Sequence, residues 1–415
     1  MIHAALLAWC AATDAPTNDE PVHLAGGLRR VQNREFDVDR GNPPLTSTLA
    51  AAPVLWVQPK TDWRRIKDSF AVGRDFIKVN GPDSFWLVTL GRWACIPLSL
   101  LGLVLCYCWA AELYGTRAGL FAAGLWCFCP NLLAHGHLLT GDMAATTFLM
   151  SATYSFWRWL SQPSWTRAVV LGVAAALALL SKYTCVLLIP LCGVTWIVWL
   201  VRASCRGAGE LSRHLLFSSQ LLLSAFICVD VMHLAYPGRD TFAPLQQYAI
   251  GRRIAGINTT EGSSSKPQSS WQHTVAMLPV PLPVDYIAGA EEIRNYYRAT
   301  VKPSYLRGER KQGRWWYYYI YGLLVKIPLG TWLLLGMSGV VWCRRTDRSR
   351  ADELFLLLCA ASVMTFVTVT TTTQNHVRYV LPAVPFLYIF AAGLLDQRPR
   401  ARLLPVLKWA IASSY

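Results

Sequence analysis

Apolar stretches of bilayer length recur along this chain of 415 residues and leave it few ways to fold. A hydrocarbon core about 30 Å thick is crossed by roughly 20 residues of helix. Candidate spans run over Phe85 to Ala111, Ala118 to Leu133, Met143 to Leu160, Ala168 to Leu180, Tyr183 to Val201, Leu215 to Tyr236, Tyr317 to Cys343, Leu354 to Thr373 and Tyr379 to Leu395. Lipid offers no partners to backbone N–H and C=O groups, so each stretch is predicted to be a helix. Composition agrees: 53% of residues are hydrophobic and only 15% charged, against an average near 25% charged in soluble domains. The expected fold class is an all-α, polytopic membrane protein with about ten or eleven spans. Pro97, Pro190, Pro328, Pro382 and Pro385 fall inside spans and are expected to break several of them. Met1 to Ala12 is too short to cross and reads as a truncated first span, and Leu403 to Tyr415 begins a further, incomplete one. A cleaved signal peptide would also start apolar, but the basic leading region of such a peptide is missing.

The side of the membrane follows from lysine and arginine in the short loops. One set of turns carries Arg117, then Arg158 and Arg167, then Arg202, Arg206 and Arg213, then Arg344, Arg345, Arg348 and Arg350, then Arg398, Arg400 and Arg402. The opposite set, Ala134 to Asp142, Ser181-Lys182 and Gln374 to Arg378, is nearly bare of them. The basic set is therefore assigned to the cytoplasm. Alternation then puts residues 13–84 and 237–316, two long loops, on the outer side, with spans between them over 85–236 and after them over 317–395 and residues 396–415 opening the incomplete last span. The net charge of +15 is partly this topological bias, so no nucleic-acid partner is inferred from it. The excess in the outer loops suits anionic membrane lipid or phosphate. The twelve cysteines sit mostly within apolar spans and read as small hydrophobes.

The outer loops hold the residues that carry chemistry. Thr17-Asn18-Asp19-Glu20-Pro21-Val22-His23 places two carboxylates and a histidine just beyond the first apolar segment. Ionisable groups at a membrane boundary are candidates for an acid/base site. Helix capping by Asn18, Asp19 or Glu20 is the competing account. Asn42-Pro43-Pro44-Leu45 re-aims the chain towards the membrane, and Thr46 to Val57, apolar but short, suits an interfacial helix. A second polar cluster holds Asn131, His135, His137, Thr140 and Asp142, the last at the first turn of a span, where the helix dipole favours a carboxylate in any case. Lys182 stands alone in a hinge, where it either snorkels to the interface or meets phosphate. His376 and Arg378 occupy the last outer turn, and Arg378 has the fork that binds an anionic head group bidentately. Trp315 to Tyr319 is placed where an interfacial aromatic belt is expected.

In this order the pieces resemble a known family. The Asp19-Glu20 pair, Asn42-Pro43-Pro44-Leu45, Thr140-Gly141-Asp142, Ser181-Lys182 and Arg378-Tyr379-Val380-Leu381-Pro382-Ala383-Val384-Pro385 resemble the membrane glycosyltransferases of the protein mannosyltransferase type. This is glycosyltransferase family 39 in the broad sense, with the bacterial lipid A aminoarabinose transferases as relatives. Tyr305 to Glu309, Trp315 to Tyr318 and Leu324 to Pro328 are also similar to bacterial members. Each motif is short, and the specificity lies in their order along nearly the whole chain.

The resemblance implies a C-type glycosyltransferase fold with outer-loop helices over a cavity at the membrane surface. It implies a polyprenyl-phosphate-sugar donor, a protein or lipid/glycan acceptor, and a site on the outer face of a bacterial inner membrane. By matching positions, Asp19 is the catalytic base, Glu20 its acidic neighbour and Asp142 a second catalytic aspartate. Lys182 and Arg378 suit the donor phosphate, and His23, Asn42, His137 and His376 complete the expected substrate-binding set. The resemblance fixes no cofactor. A divalent metal stays open, with Glu20, His135 and His137 as its candidate ligands. The alternative class is a transporter or flippase for a lipid-linked or small anionic substrate, which needs polar groups at mid-depth in its spans. Asp230 is the nearest approach to one.

Overall fold

The structure is a computed structural model. It describes residues 1–204, 211–237, 242–248, 251–252, 259–260, 263–264, 270–299, 303–344, 350–372, 374 and 376–396. In these residues it is a helical, multi-pass membrane bundle. In chain order the first eleven helices are α1 (Ile2–Thr13), α2 (Glu20–Asn33), α3 (Leu45–Leu55), α4 (Ser69–Asn80), α5 (Asp83–Tyr114), α6 (Thr116–Cys127), α7 (Pro130–Gly136), α8 (Gly141–Ser161), α9 (Trp165–Ser181), α10 (Leu188–Ser204) and α11 (Leu211–Ala235). Among the described residues five helices are long and apolar enough to span alone, and up to seven if each bent pair counts as one span. Helix α8 is not one of them because it is the centre of the bundle: nearly every residue from Asp142 to Leu160 is buried in protein, so Thr146, Thr147 and Thr153 replace the lipid-facing leucines of an outer helix. Residues 403–415 of the expected last span lie outside the described residues.

Two predicted spans are not straight. The stretch Ala118 to Leu133 divides into α6 and α7, bent by 63° where Pro130 opens the second piece. The stretch Tyr317 to Cys343 divides into Tyr318–Lys326 and Leu329–Arg344, bent by 110° at Ile327-Pro328. Proline lacks the donor that would continue the ladder and clashes with the preceding turn. Pro97, by contrast, lies within an unbroken α5 and Pro190 within α10. Pro382 sits in a 3₁₀ turn, Val377–Ala383, which leads into the helix Val384–Ala392.

The basic-poor ends of the helices carry the outer-loop elements. Helix α3 packs along α2 and α5, and the approach to α2 is close: a Cβ at Gly27 would stand 2.0 Å from the Ser47 carbonyl oxygen. Long loop 237–316 is not wholly irregular, since Pro303–Leu306 and Glu309–Gln312 form an antiparallel hairpin whose turn residues Arg307 and Gly308 both have positive φ. A two-residue turn of that kind matches the twist of paired strands. Ser263-Ser264 pairs with Thr259-Thr260, while Gly262 and Ser265 lie outside the described residues. The aromatic run is divided: Trp316 is exposed as a belt residue would be, but Tyr318 and Tyr319 are buried in the bundle.

At the other end of the bundle Trp109, Tyr154, Trp157, Phe355 and Phe386 pack as one aromatic cluster. Two indoles there are paired across helices: Trp157 Nε1 donates to Asp352 Oδ1 at 2.9 Å, and Trp159 Nε1 to Gln220 Oε1 at 2.9 Å. This fixes the helices that carry the functional end, because a buried indole N–H without a partner is costly. The eleven described cysteines are free.

Candidate active site

Four elements converge at the basic-poor end: the start of α2, the start of α8, the hinge after α9 and the turn at Val377. Asp19 precedes α2 in the N-cap position but makes no capping bond with its side chain. Instead its Oδ2 accepts from Arg378 Nη2 at 2.7 Å, across more than 350 residues of chain. Capping therefore does not account for this carboxylate. Arg378 Nε lies 3.6 Å from Asp142 Oδ2, and Lys182 Nζ donates to Asp142 Oδ1. Tyr379 presents its ring to Lys182 Nζ at 4.7 Å and to the Arg378 guanidinium at 5.9 Å. Two carboxylates and two cations thus interlock over one aromatic face, an arrangement that attracts cations to the ring.

Access differs within the cluster. The Asp142 side chain is 4% exposed and braced by both cations, whereas Asp19 is 30% exposed. Only Asp19 can meet an incoming hydroxyl without first being uncovered. Lys182 and Arg378, at 19% and 17%, are half-buried and reachable. His135 belongs to the rim, within electrostatic reach of Asp142, Arg378 and Lys182, and its Nδ1 is buried without a hydrogen bond. His376 is exposed, with its ring edge-on to Tyr379 at 6.1 Å between centroids. Asn375 lies outside the described residues.

Glu20 faces the other way. It is fully buried and holds Arg92, itself 1% exposed, through two bonds of 2.7 Å. Its oxygens also accept from the backbone N–H of Thr17 and Leu139. Burial disfavours the charge, but the Arg92 fork and these two donors outweigh it and hold the carboxyl below its usual range. Arg92 in turn donates to the carbonyls of Ala11, Asp14 and Ala15. The pair fastens the approach to Asp19 onto α5. Sequence reasoning missed Arg92, although an arginine within the predicted span Phe85 to Ala111 was a usable signal.

His23 and Asn42 both bond to Asp39, and His23 also lies within electrostatic reach of Asp19 and Arg378. His23 Nδ1 lies 2.8 Å from Asp39 Oδ2, and Asn42 Nδ2 donates to Asp39 Oδ1 at 2.8 Å. Arg30 closes the group against the carbonyl of Asp39 at 2.9 Å. Burial works against charge on both members, yet mutual attraction prevails, leaving His23 raised and Asp39 lowered from their ordinary values. The sign of the pH dependence follows. The stability from protonated His23 is complete below its ordinary value near 6.5 and is lost as pH rises through the higher folded value. The stability from Asp39 is present above about 3.9 and is lost as pH falls through its lower folded value. Thermal unfolding of wild type against His23→Gln is therefore expected to differ most at about pH 4 to 6.5 and to converge in alkaline buffer. A constant difference from pH 5 to 9 would contradict a charged His23.

The metal candidates Glu20, His135 and His137 do not form one site. Glu20 is taken by Arg92, His135 lies at the rim of the cation cluster, and His137 points at Asp14. Two residues apart on a turning chain, the histidines diverge.

Three comparisons bear on this arrangement. Residues 83–230 match the profile of the family described as dolichyl-phosphate-mannose-protein mannosyltransferase. The chain superposes on ArnT from Cupriavidus metallidurans in the apo state, TM-score 0.51 at 16% identity, over 95% of this chain and 58% of that one. The C-type glycosyltransferase fold is therefore shared. The same ArnT bound to undecaprenyl phosphate gives 0.52 at 13% identity, over 95% and 59%. The oligosaccharyltransferase of Archaeoglobus fulgidus in the apo form gives 0.51 at 15%, over 94% and 49%. No curated protein sequence matches significantly. The chain spans under three fifths of the length of the ArnT structures and about half of the oligosaccharyltransferase.

Proposed function

We propose that the chain is a membrane glycosyltransferase that moves a sugar from a polyprenyl-phosphate carrier to a hydroxyl-bearing protein, lipid or glycan acceptor at the outer face. The interlocked Asp19, Arg378, Asp142 and Lys182 carry this reading. Polyprenyl phosphate leaves as an anion, so the reaction calls for a base at the acceptor and fixed cations at the phosphate. Asp19 is the accessible carboxylate and takes the acceptor proton. The acceptor oxygen bonds to the anomeric carbon as the carbon–oxygen bond to phosphate breaks, and the electron pair leaves with polyprenyl phosphate. One displacement inverts the anomeric centre. Lys182 and Arg378 meet the departing phosphate, and Asp142 keeps them in place before the donor arrives. Preorganisation of this kind removes reorganisation from the barrier.

The comparisons support this reading from outside the site. The fold is shared with a structure bound to undecaprenyl phosphate, and a mannosyltransferase profile covers α5 to α11. The ionisable cluster lies at one end of the bundle rather than at mid-depth, which favours surface chemistry over carriage across the membrane. Membranes expressing the chain are expected to transfer labelled sugar from polyprenyl-phosphate donors. Arg378→Ala is expected to raise the KM for the donor about tenfold or more while changing the KM for the acceptor little. Equal rises for both would mark Arg378 as a structural anchor.

A further inference from the structure

We propose that Cys10, Asp14 and His137 form a binding site for a divalent transition ion of the zinc class, joining the end of α1 to the segment before α8. The Cys10 sulfur, a carboxylate oxygen of Asp14 and a ring nitrogen of His137 all lie within 4.8 Å of one another. Cys10 and Asp14 share one helical face, since the Asp14 N–H donates to the Cys10 carbonyl at 3.0 Å and carries the last turn of α1 forward.

The histidine supplies the second, independent observation. His137 is 3% exposed, and its Nδ1 lies 2.9 Å from the Leu133 carbonyl oxygen. A carbonyl only accepts, so Nδ1 carries the proton, and in the neutral ring the lone pair belongs to Nε2. That atom is buried, makes no hydrogen bond, and stands 3.2 Å from Asp14 Oδ2. At that distance the two atoms call for positive charge between them, which a second ring proton or a bound metal ion supplies. A ring whose far nitrogen is anchored on a backbone carbonyl, with its lone pair aimed at a carboxylate and a thiol, has the tautomer and orientation of a metal ligand.

The donor set selects the ion. Thiolate and imidazole favour zinc or a similar borderline ion over magnesium or calcium, which take oxygen. Three protein ligands leave a fourth tetrahedral position, and the Asp14 side chain is 55% exposed, so the ion has a route in and a place for water. Binding replaces the Cys10 thiol proton, which passes to solvent, with a sulfur–metal bond. The site is separate from the Asp19, Arg378, Asp142 and Lys182 cluster, and the proposal does not depend on the function assigned there. The two are linked through structure, because the Asp14 carbonyl also accepts from Arg92, the partner of Glu20.

Cobalt is the probe. Full-length protein in detergent, freed of metal with a chelator and then of chelator, is titrated with Co²⁺ and then challenged with Zn²⁺. The expected result is about one tightly bound Co²⁺ per chain, with a near-ultraviolet thiolate charge-transfer band and visible bands of tetrahedral strength that Zn²⁺ abolishes. Cys10→Ser is expected to lose the charge-transfer band, and Asp14→Asn to weaken binding about tenfold or more. Cys10→His is expected to restore binding of Co²⁺ without that band, which separates lost ligation from lost folding. Cys10 is half-buried near the end of α1, so its variants test the site even if His137→Gln proves unstable. Absence of any charge-transfer band in wild type, or its persistence in Cys10→Ser, would overturn the proposal.

Discussion

Asp19→Asn is expected to lower sugar transfer by about a hundred- to ten-thousandfold, the range supplied by a positioned general base. Asparagine keeps the size of the side chain and can still meet Arg378 Nη2, so expression and membrane insertion should be unchanged. It cannot accept a proton at the pH of the reaction. The loss should fall on kcat, with the donor KM nearly constant, because Lys182 and Arg378 still await the phosphate. The comparison with Asp142 sharpens the point: that carboxylate is buried between the two cations, and its replacement should disturb donor binding first. Transfer by Asp19→Asn at the wild-type rate would remove Asp19 from the base role and leave Asp142 or water to be tested.

Arg92→Met should be the most destabilising single change at this end of the bundle. Arg92 and Glu20 are 1% and 0% exposed, and each is the other's only charged partner among the contacts the structure describes. Removing one member of a buried pair leaves an uncompensated charge, at a cost of about 3–5 kcal/mol. The arginine also satisfies three carbonyls at the end of α1 and just beyond it, so those acceptors lose their donor as well. Thermal unfolding in detergent should show a clear fall for Arg92→Met. The double variant with Glu20→Gln should recover part of it, because no buried carboxylate is then left unpaired. A midpoint within a degree or so of wild type would mean that water reaches Glu20. Since Glu20 adjoins Asp19, transfer should fall along with stability, through position and not through proton chemistry.

Much of the fold could be read along the chain because a bilayer imposes a one-dimensional code. A stretch such as Tyr183 to Val201 has to be helical, and the arginines between spans assign its ends, without reference to any distant residue. The helix breaks were less legible. Pro97 and Pro328 look alike in sequence, but α5 runs unbroken past Pro97 while the chain turns by 110° at Pro328. Whether a freed carbonyl finds a new partner depends on neighbouring helices, which the local sequence does not name. Helix α8 shows the same limit from the other side, its threonines making sense only once it is known to be central.

At the site, Asp19, Asp142, Lys182 and Arg378 could be singled out from their residue types, their boundary positions and the order of the motifs. Their chemistry is written locally: a carboxylate or guanidinium beside a span is costly enough to call for a reason. What each one touches is not local. Glu20, adjacent to Asp19 in sequence, turns in the opposite direction because α2 begins there and successive residues of a helix diverge. His23 and Asn42 are expected substrate contacts by their positions, and folding also bonds both to Asp39. Sequence by itself therefore determined the solvent, most of the helices and the residue types gathered at the candidate site, because hydrophobic length and charge placement act residue by residue. The tertiary structure alone decided which carboxylate is open, which is locked, and which histidine points at a thiol, because those outcomes depend on contacts between segments from 40 to more than 350 residues apart.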